Sequence, residues 1–205
     1  MADISPQLVR ELRDKTNAGM MDCKRALAEA GGDLAKAEDL LRAKGIASAG
    51  KKASRSAKEG IVASYIHLQG KVGVLVEVNC ETDFVAKNDN FREFVKDITL
   101  HIAAANPTCV SREQVDPSEI ERERAIYRQQ VEGKPANIVE KIVEGKVDKF
   151  YGTICLMEQP FIKNPDLSIA DLVKSKITEL GENIVIRRFT RYMVGEGVTD
   201  EPAAE

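Results

Sequence analysis

Val72-Gly73-Val74-Leu75-Val76-Glu77-Val78-Asn79, followed directly by Cys80-Glu81-Thr82-Asp83-Phe84-Val85-Ala86-Lys87-Asn88, is the stretch on which the fold turns. The first half is rich in valine and alternates, so it reads as a strand. The second half ends that strand with a polar residue, a cysteine and an acid-aromatic pair just before a helix. Phe84 therefore stands as a large apolar side chain at a sheet edge, and two readings compete for it. In one, Asp83 caps a short helical turn while Phe84 and Val85 pack on Phe91 and Phe94. In the other, Phe84 projects, with Asp83 beside it, as a probe offered to another molecule. Local physics favours packing.

The pattern extends in both directions. Gln69-Gly70 links the strand to an earlier one, Ile61 to Leu68, as a short hairpin. Downstream, Asn90 with Glu93 three residues later reads as a capping box, and Phe91, Phe94, Val95, Ile98 and Ile102 form one helical stripe that Asn106-Pro107 ends. Pro117 opens a charged helix to about Val131, and Gly133-Lys134-Pro135 separates it from another over 136–149. Tyr151 to Met157 reads as a strand, Gln159-Pro160 as the start of a loop, Ser168 as the cap of a helix to Leu180, and Asn183 to Val194 as a last strand. The class expected is α+β with a small, mostly antiparallel sheet.

Upstream, residues 4–46 read as three short helices. Ser5-Pro6 supplies an N-cap with proline at the first helical position, and Leu8, Val9 and Leu12 share a face that should stop near Asn17-Ala18-Gly19. A second helix carries Cys23, Ala26, Leu27 and Ala30 to Gly31-Gly32. Asp33 caps a third, with Leu34, Ala37, Leu40 and Leu41 inward and Gly45 as its stop. Residues 47–59 are small and basic, which reads as a linker or a solvated segment that can become helical. The expected organisation is a helical domain over 1–46, a linker over 47–59, an α+β core over 60–197 and an acidic tail over 198–205.

The 205 residues are 43% hydrophobic and 31% charged, as suits a soluble globular chain, and the net charge of −3 offers no general attraction to nucleic acid. The amino terminus lacks a signal or transit pattern, and no apolar run reaches the roughly 20 residues needed to span a bilayer. Cys23, Cys80, Cys109 and Cys155 are widely spread with no CxxC pair, so reduced thiols are expected rather than a disulfide framework or zinc site. There is no GxxxxGK[ST], GxGxxG, GxSxG or HExxH, which argues against an enzyme and against a cofactor. Glu119, Glu121 and Glu123 alternate around a helix as a solvated face would. His101 beside the apolar stripe reads as structural and His67 as a surface or hydrogen-bonded strand histidine. Met20 and Met21, being adjacent, cannot both enter a small helical core, so at least one is expected to be exposed; either it serves an adaptable binding surface, which methionine suits, or one is core and the other merely tolerated.

Leu12-Arg13, Thr16-Asn17-Ala18-Gly19-Met20-Met21-Asp22-Cys23-Lys24 and Ala26-Leu27 together resemble the N-terminal signature of the elongation factor Ts family. Glu77 to Lys87 resembles that family's second signature. Gly133-Lys134-Pro135, Gln159-Pro160-Phe161, and Gly181-Glu182-Asn183-Ile184 with Arg187-Arg188-Phe189 resemble further segments, in family order, over Ile4 to Gly197. The resemblance implies a ubiquitin-associated-like three-helix domain ahead of the α+β core. It also implies a cytoplasmic guanine-nucleotide exchange factor for the translational GTPase elongation factor Tu, binding its GDP-bound and nucleotide-free forms and released by GTP. No direct contact with nucleic acid or membrane is implied. Carried over by residue, Thr82, Asp83, Phe84 and Val85 would enter near the GTPase's magnesium site. Arg13, Met20, Met21, Lys24, His67, Leu180 and Gly181 would be partner contacts. Longer members duplicate the core and add a coiled coil. This chain has one core copy, with a pair of helices at about 117–149 in place of extended insertions. Because short members of the family tend to act as homodimers, the resemblance implies a symmetric homodimer on the exposed sheet face. The competing class is an adaptor that only scaffolds.

Overall fold

The computed structural model describes residues 4–16, 18–131, 133 and 135–197, so Asn17, Lys134 and the acidic tail over 198–205 lie outside the described residues. Its elements are α1 (Pro6–Thr16), α2 (Met20–Glu29), α3 (Leu34–Lys52), β1 (Glu59–His67), β2 (Val72–Cys80), α4 (Asp83–Ala86), α5 (Asp89–Ala105), α6 (Pro117–Gln130), α7 (Ala136–Ile154), β3 (Pro160–Phe161), β4 (Asn164–Ser168), α8 (Ile169–Leu180) and β5 (Val185–Met193). The α+β class expected from the sequence is the class observed. The chain divides into two compact units. One comprises 1–60, 79–92 and 170–185, and the other 61–78, 93–169 and 186–205.

In the first unit, α1 to α3 close on Val9, Leu12, Cys23, Ala26, Leu27 and Ala37, with Leu8, Leu34, Leu40 and Leu41 packed around them. Burying that apolar surface is what stabilises helices too short to persist alone. Asp33 caps α3 as expected, accepting the Lys36 N–H at 3.1 Å. The third helix, however, does not stop at Gly45. It runs on to Lys52, through the first half of the expected linker, with Ala49 buried. Gly45 is buried mid-helix, where it lets α8 approach. A Cβ there would sit 3.1 Å from the Thr178 hydroxyl, which itself donates to the Gly45 carbonyl at 3.1 Å. The glycine is a packing contact, not a stop.

In the second unit, the three-stranded sheet runs in the order β1-β2-β5. The short β1–β2 connection, which passes through positive φ at Leu68, Gln69 and Gly70, makes those two strands antiparallel neighbours. β2 buries Val72, Val74, Val76 and Val78 on one side, and in this unit the expected stripe of α5 is enclosed from Phe94 to Ile102, while Phe91, equally buried, belongs to the first unit. Two local expectations need correction. The cap of α5 is Asn88, whose side chain accepts the Asn90 N–H at 2.8 Å, rather than Asn90 itself. The strand expected over Tyr151 to Met157 is instead the last turn of α7, a single parallel bridge pairing Cys155 with Cys109, and a 3₁₀ turn. Val143, Val147, Phe150 and Tyr151 continue one helical stripe against α6, and that tertiary stripe outweighs the strand preference of Tyr and Ile. After it, β3 and β4 pair as a small antiparallel hairpin where only a loop was read.

The buried polar pair of this unit is His101 with Gln159. The Gln159 amide donates to the carbonyls of Thr153 at 2.6 Å and Ala105 at 3.4 Å, which leaves its oxygen facing His101 Nε2 at 2.9 Å. Nδ1 accepts the Ile162 N–H at 3.4 Å, so the ring is the neutral Nε2–H tautomer. Burial pushes its pKa below the usual value. His101 is structural.

Candidate partner-binding site

Thr82 caps a helical turn, α4, that carries Asp83, Phe84 and Val85 and stands between the end of β2 and the start of α5. The N-cap is Thr82, not Asp83. Its hydroxyl accepts the Val85 N–H at 3.4 Å, and its carbonyl accepts the Ala86 N–H at 3.2 Å. Asp83 is the first helical residue and pairs instead with Lys87 one turn on, at 2.7 Å. That hydrogen bond holds its carboxyl below the usual range. Only one flank of so short a turn can face inward, and Ala86 takes it. Phe84 stands 81% exposed. It is no core plug.

The turn is tied down at both ends within its own unit. Ahead of it, Glu182 Oε2 accepts the backbone N–H groups of Glu81 and Thr82, each at 3.0 Å, and Oε1 accepts the Thr82 hydroxyl at 2.6 Å. In return, Glu81 Oε1 accepts the Asn183 N–H at 2.6 Å. The Cys80 thiol donates to the Thr82 carbonyl at 3.2 Å. Burial, with the nearby Glu182 charge, pushes its pKa up to about 11. Behind the turn, Asn88 caps α5, and the Asn90 amide donates to Glu179 of α8 at 3.1 Å.

The structure brings six of the predicted site residues into this neighbourhood, Thr82, Asp83, Phe84, Val85, Leu180 and Gly181. Leu180 ends α8 half-buried, and Gly181 follows at φ +79°, a left-handed conformation that reverses the chain so that Glu182 and Asn183 meet Glu81 and Thr82. Arg13 lies exposed on α1, and Met20, Met21 and Lys24 are all exposed on the first turns of α2, where Met21 is 68% open to solvent. Both methionines are exposed, one more than the local argument required. His67 is exposed at the end of β1 in the other unit, its Nδ1 2.7 Å from the Tyr65 hydroxyl and its ring stacked on Tyr65.

Glu81, Glu182, Asn183 and Asn88 are the framing residues that sequence reasoning left without a role. Glu182 and Thr82 are a hundred positions apart, and no local pattern signals such a pair. Among the described residues, no cluster of His, Cys, Asp or Glu is arranged to hold a metal, and no helix is long and apolar enough to cross a membrane. The arrangement offers an exposed aromatic on a framed turn.

Comparisons with known proteins agree over most of the chain. A family model described as Elongation factor TS matches residues 48–196. Curated relatives named Elongation factor Ts are similar at 59% identity in Alkaliphilus oremlandii, over 96% of this chain and 91% of the relative. The identity is again 59% in Carboxydothermus hydrogenoformans, over 95% and 91%. In Desulforamulus reducens it is 56%, over 100% and 97%.

Proposed function

The chain belongs to the elongation factor Ts family, and from that membership together with the geometry of α4 we propose that it is the guanine-nucleotide exchange factor of elongation factor Tu. It binds the GDP-bound GTPase in the cytoplasm, promotes GDP release, and is itself displaced when GTP enters. The observation that carries the reading is Phe84, a large aromatic held 81% exposed on a turn whose ends are both anchored. An aromatic left in water on a framed turn is a ready-made insertion group.

The physics needs no chemistry from this chain. Magnesium on a bound nucleotide requires near-ideal octahedral geometry, so a wedge that displaces its ligating loops by a fraction of an ångström weakens both metal and nucleotide. Coupling is reciprocal, so a factor that weakens nucleotide must be weakened by nucleotide to the same degree. Thr82 to Val85 supply the wedge, with Asp83 meeting a donor on the partner. Arg13, Met20, Met21 and Lys24 on the helical domain over 1–46, with Leu180, Gly181 and His67, supply docking contacts.

The same reading includes a homodimer. One side of the three-stranded sheet exposes Val62, Ile66, Leu75 and Tyr192. The charges beside them, Glu77 and Arg188, already pair with each other at 2.8 Å and need no outside partner. A second copy, presenting the same apolar face across a two-fold axis, covers it. Light scattering should return twice the 22.6 kDa chain mass, and a Leu75→Glu variant the single mass.

The deciding experiment for exchange is stopped-flow release of a fluorescent GDP analogue from elongation factor Tu. Wild-type protein should accelerate release and Phe84→Ala should not. Unchanged release with wild-type protein refutes the exchange reading and leaves an adaptor role.

A further inference from the structure

Glu182 belongs to neither of the contact sets above, yet it makes more hydrogen bonds to the base of α4 than any other side chain described there. Both of its oxygens are committed, Oε2 to the N–H groups of Glu81 and Thr82 and Oε1 to the Thr82 hydroxyl. Because the hydroxyl proton points to Glu182, the oxygen lone pairs of Thr82 are free to accept the Val85 N–H, which is the capping bond of the turn. The capping geometry therefore depends on the carboxylate behind it. A helix of four residues has too few internal bonds to set its own direction. What sets it is the clamp.

The clamp also reaches the helical region. The Asn183 amide donates to the carbonyls of Ala53 at 3.3 Å and Arg55 at 2.8 Å, just beyond the end of α3. The Arg55 guanidinium in turn lies 3.6 Å from Glu81. Three segments thus meet at one junction: the end of α3, the loop before α4, and the loop after α8. Each loop lends a carboxylate to the backbone of the other, Glu81 to Asn183 and Glu182 to Glu81 and Thr82. Such charge-assisted bonds to backbone N–H groups are short, directional and stronger than neutral ones.

We propose that Glu182 is a positioning residue for nucleotide exchange, fixing the direction in which Phe84 is presented and tying it to the end of α3. This rests on the exchange reading above. Phe84 gains from the clamp what a reacting group gains from orientation, since an aromatic free to sample several directions spends only part of its time aligned for insertion. Removing Glu182 leaves the phenyl ring in place but aimless.

The test is the stopped-flow assay across a range of factor concentrations, which separates the half-saturating concentration from the maximal release rate. Glu182→Ala should lower the maximal rate by about tenfold or more, with the half-saturating concentration moving less than about twofold, because docking contacts remain while orientation is lost. Glu182→Gln should recover most of the rate, to within about threefold of wild type, because its amide oxygen still accepts both N–H groups and its NH₂ can donate to Thr82. Amide hydrogen exchange at Thr82 should speed up in Glu182→Ala and stay slow in Glu182→Gln. A Glu182→Ala protein with wild-type maximal rate, or one whose rate falls only in proportion to its folded fraction by melting, overturns the positioning role. Failure of wild-type protein to release GDP overturns the exchange reading instead, and full activity in Phe84→Ala overturns the wedge role of Phe84, so the failures are distinct.

Discussion

Replacing Phe84 by alanine tests whether this side chain belongs to the fold or to a partner, and the structure sets the expected size of the effect. A phenylalanine buries about 200 Å² when fully enclosed, so the roughly one fifth of Phe84 that is covered amounts to about 40 Å², or about 1 kcal/mol. Alanine is the better helix former by about 0.5 kcal/mol, which offsets half of that. The net cost is about 0.5 kcal/mol, a shift of about 1–2 °C in melting temperature for a chain of this length. Phe91, fully enclosed in the same unit, provides the comparison. Truncating it leaves a cavity that costs about 3–5 kcal/mol, or about 6–20 °C.

Circular dichroism melting of the two variants, followed by the GDP-release assay at a temperature where both remain folded, gives four numbers. Phe84→Ala should melt with wild type and lose exchange. Phe91→Ala should melt early and retain exchange in proportion to its folded fraction. If Phe84→Ala melts as early as Phe91→Ala, the ring is part of the core after all, and any loss of exchange reports unfolding.

Other consequences are more local. Gly45→Ala should destabilise the protein even though alanine favours helix, because its Cβ meets the Thr178 hydroxyl at 3.1 Å and methyl at 3.2 Å; the double variant Gly45→Ala/Thr178→Ala should recover that loss in urea melts, and a stabilised single variant contradicts the packing argument. His101 is neutral in the fold with a lowered pKa, so as pH falls through its ordinary 6.5 the unfolded chain takes up a proton that the native state refuses. Stability should therefore be full above that pH and fall below it until the folded pKa is passed; the advantage of wild type over His101→Gln in urea midpoint should narrow from pH 8 to 5, and parallel pH curves would refute this. Only the thiolate reacts with a disulfide reagent, and burial pushes Cys80 up to about 11 and Cys155 up to about 12 and raises Cys23, so half-exposed Cys109 should be the single fast thiol in the native protein, with a second fast thiol counting against the burial pattern.

Apolar periodicity made most of the helices and both long hairpin strands readable, since each buries a stripe or face of its own. What it could not reveal is where tertiary contacts override local punctuation. Gly45 reads as a stop until Thr178, 133 positions away, is seen lying against it. Tyr151 to Ile154 read as a strand until their stripe is seen continuing that of Val143 and Val147. Phe84 is the instructive case, because the packing alternative rests on a register that the chain does not keep. Phe84 and Phe91 are seven residues apart, and on one continuous helix they would share a face. The helix is not continuous. The Asn88 N–H closes α4 onto the Val85 carbonyl at 3.0 Å, and the Asn88 side chain then starts α5 afresh, so the register resets between the two aromatics. Within α4 itself, Phe84 lies about 200° around the axis from the buried Ala86, on the opposite side from the core. The exposure of the ring thus follows from one asparagine cap and a four-residue turn. The direction it takes once exposed follows from Glu182, which no reading of neighbouring residues could supply.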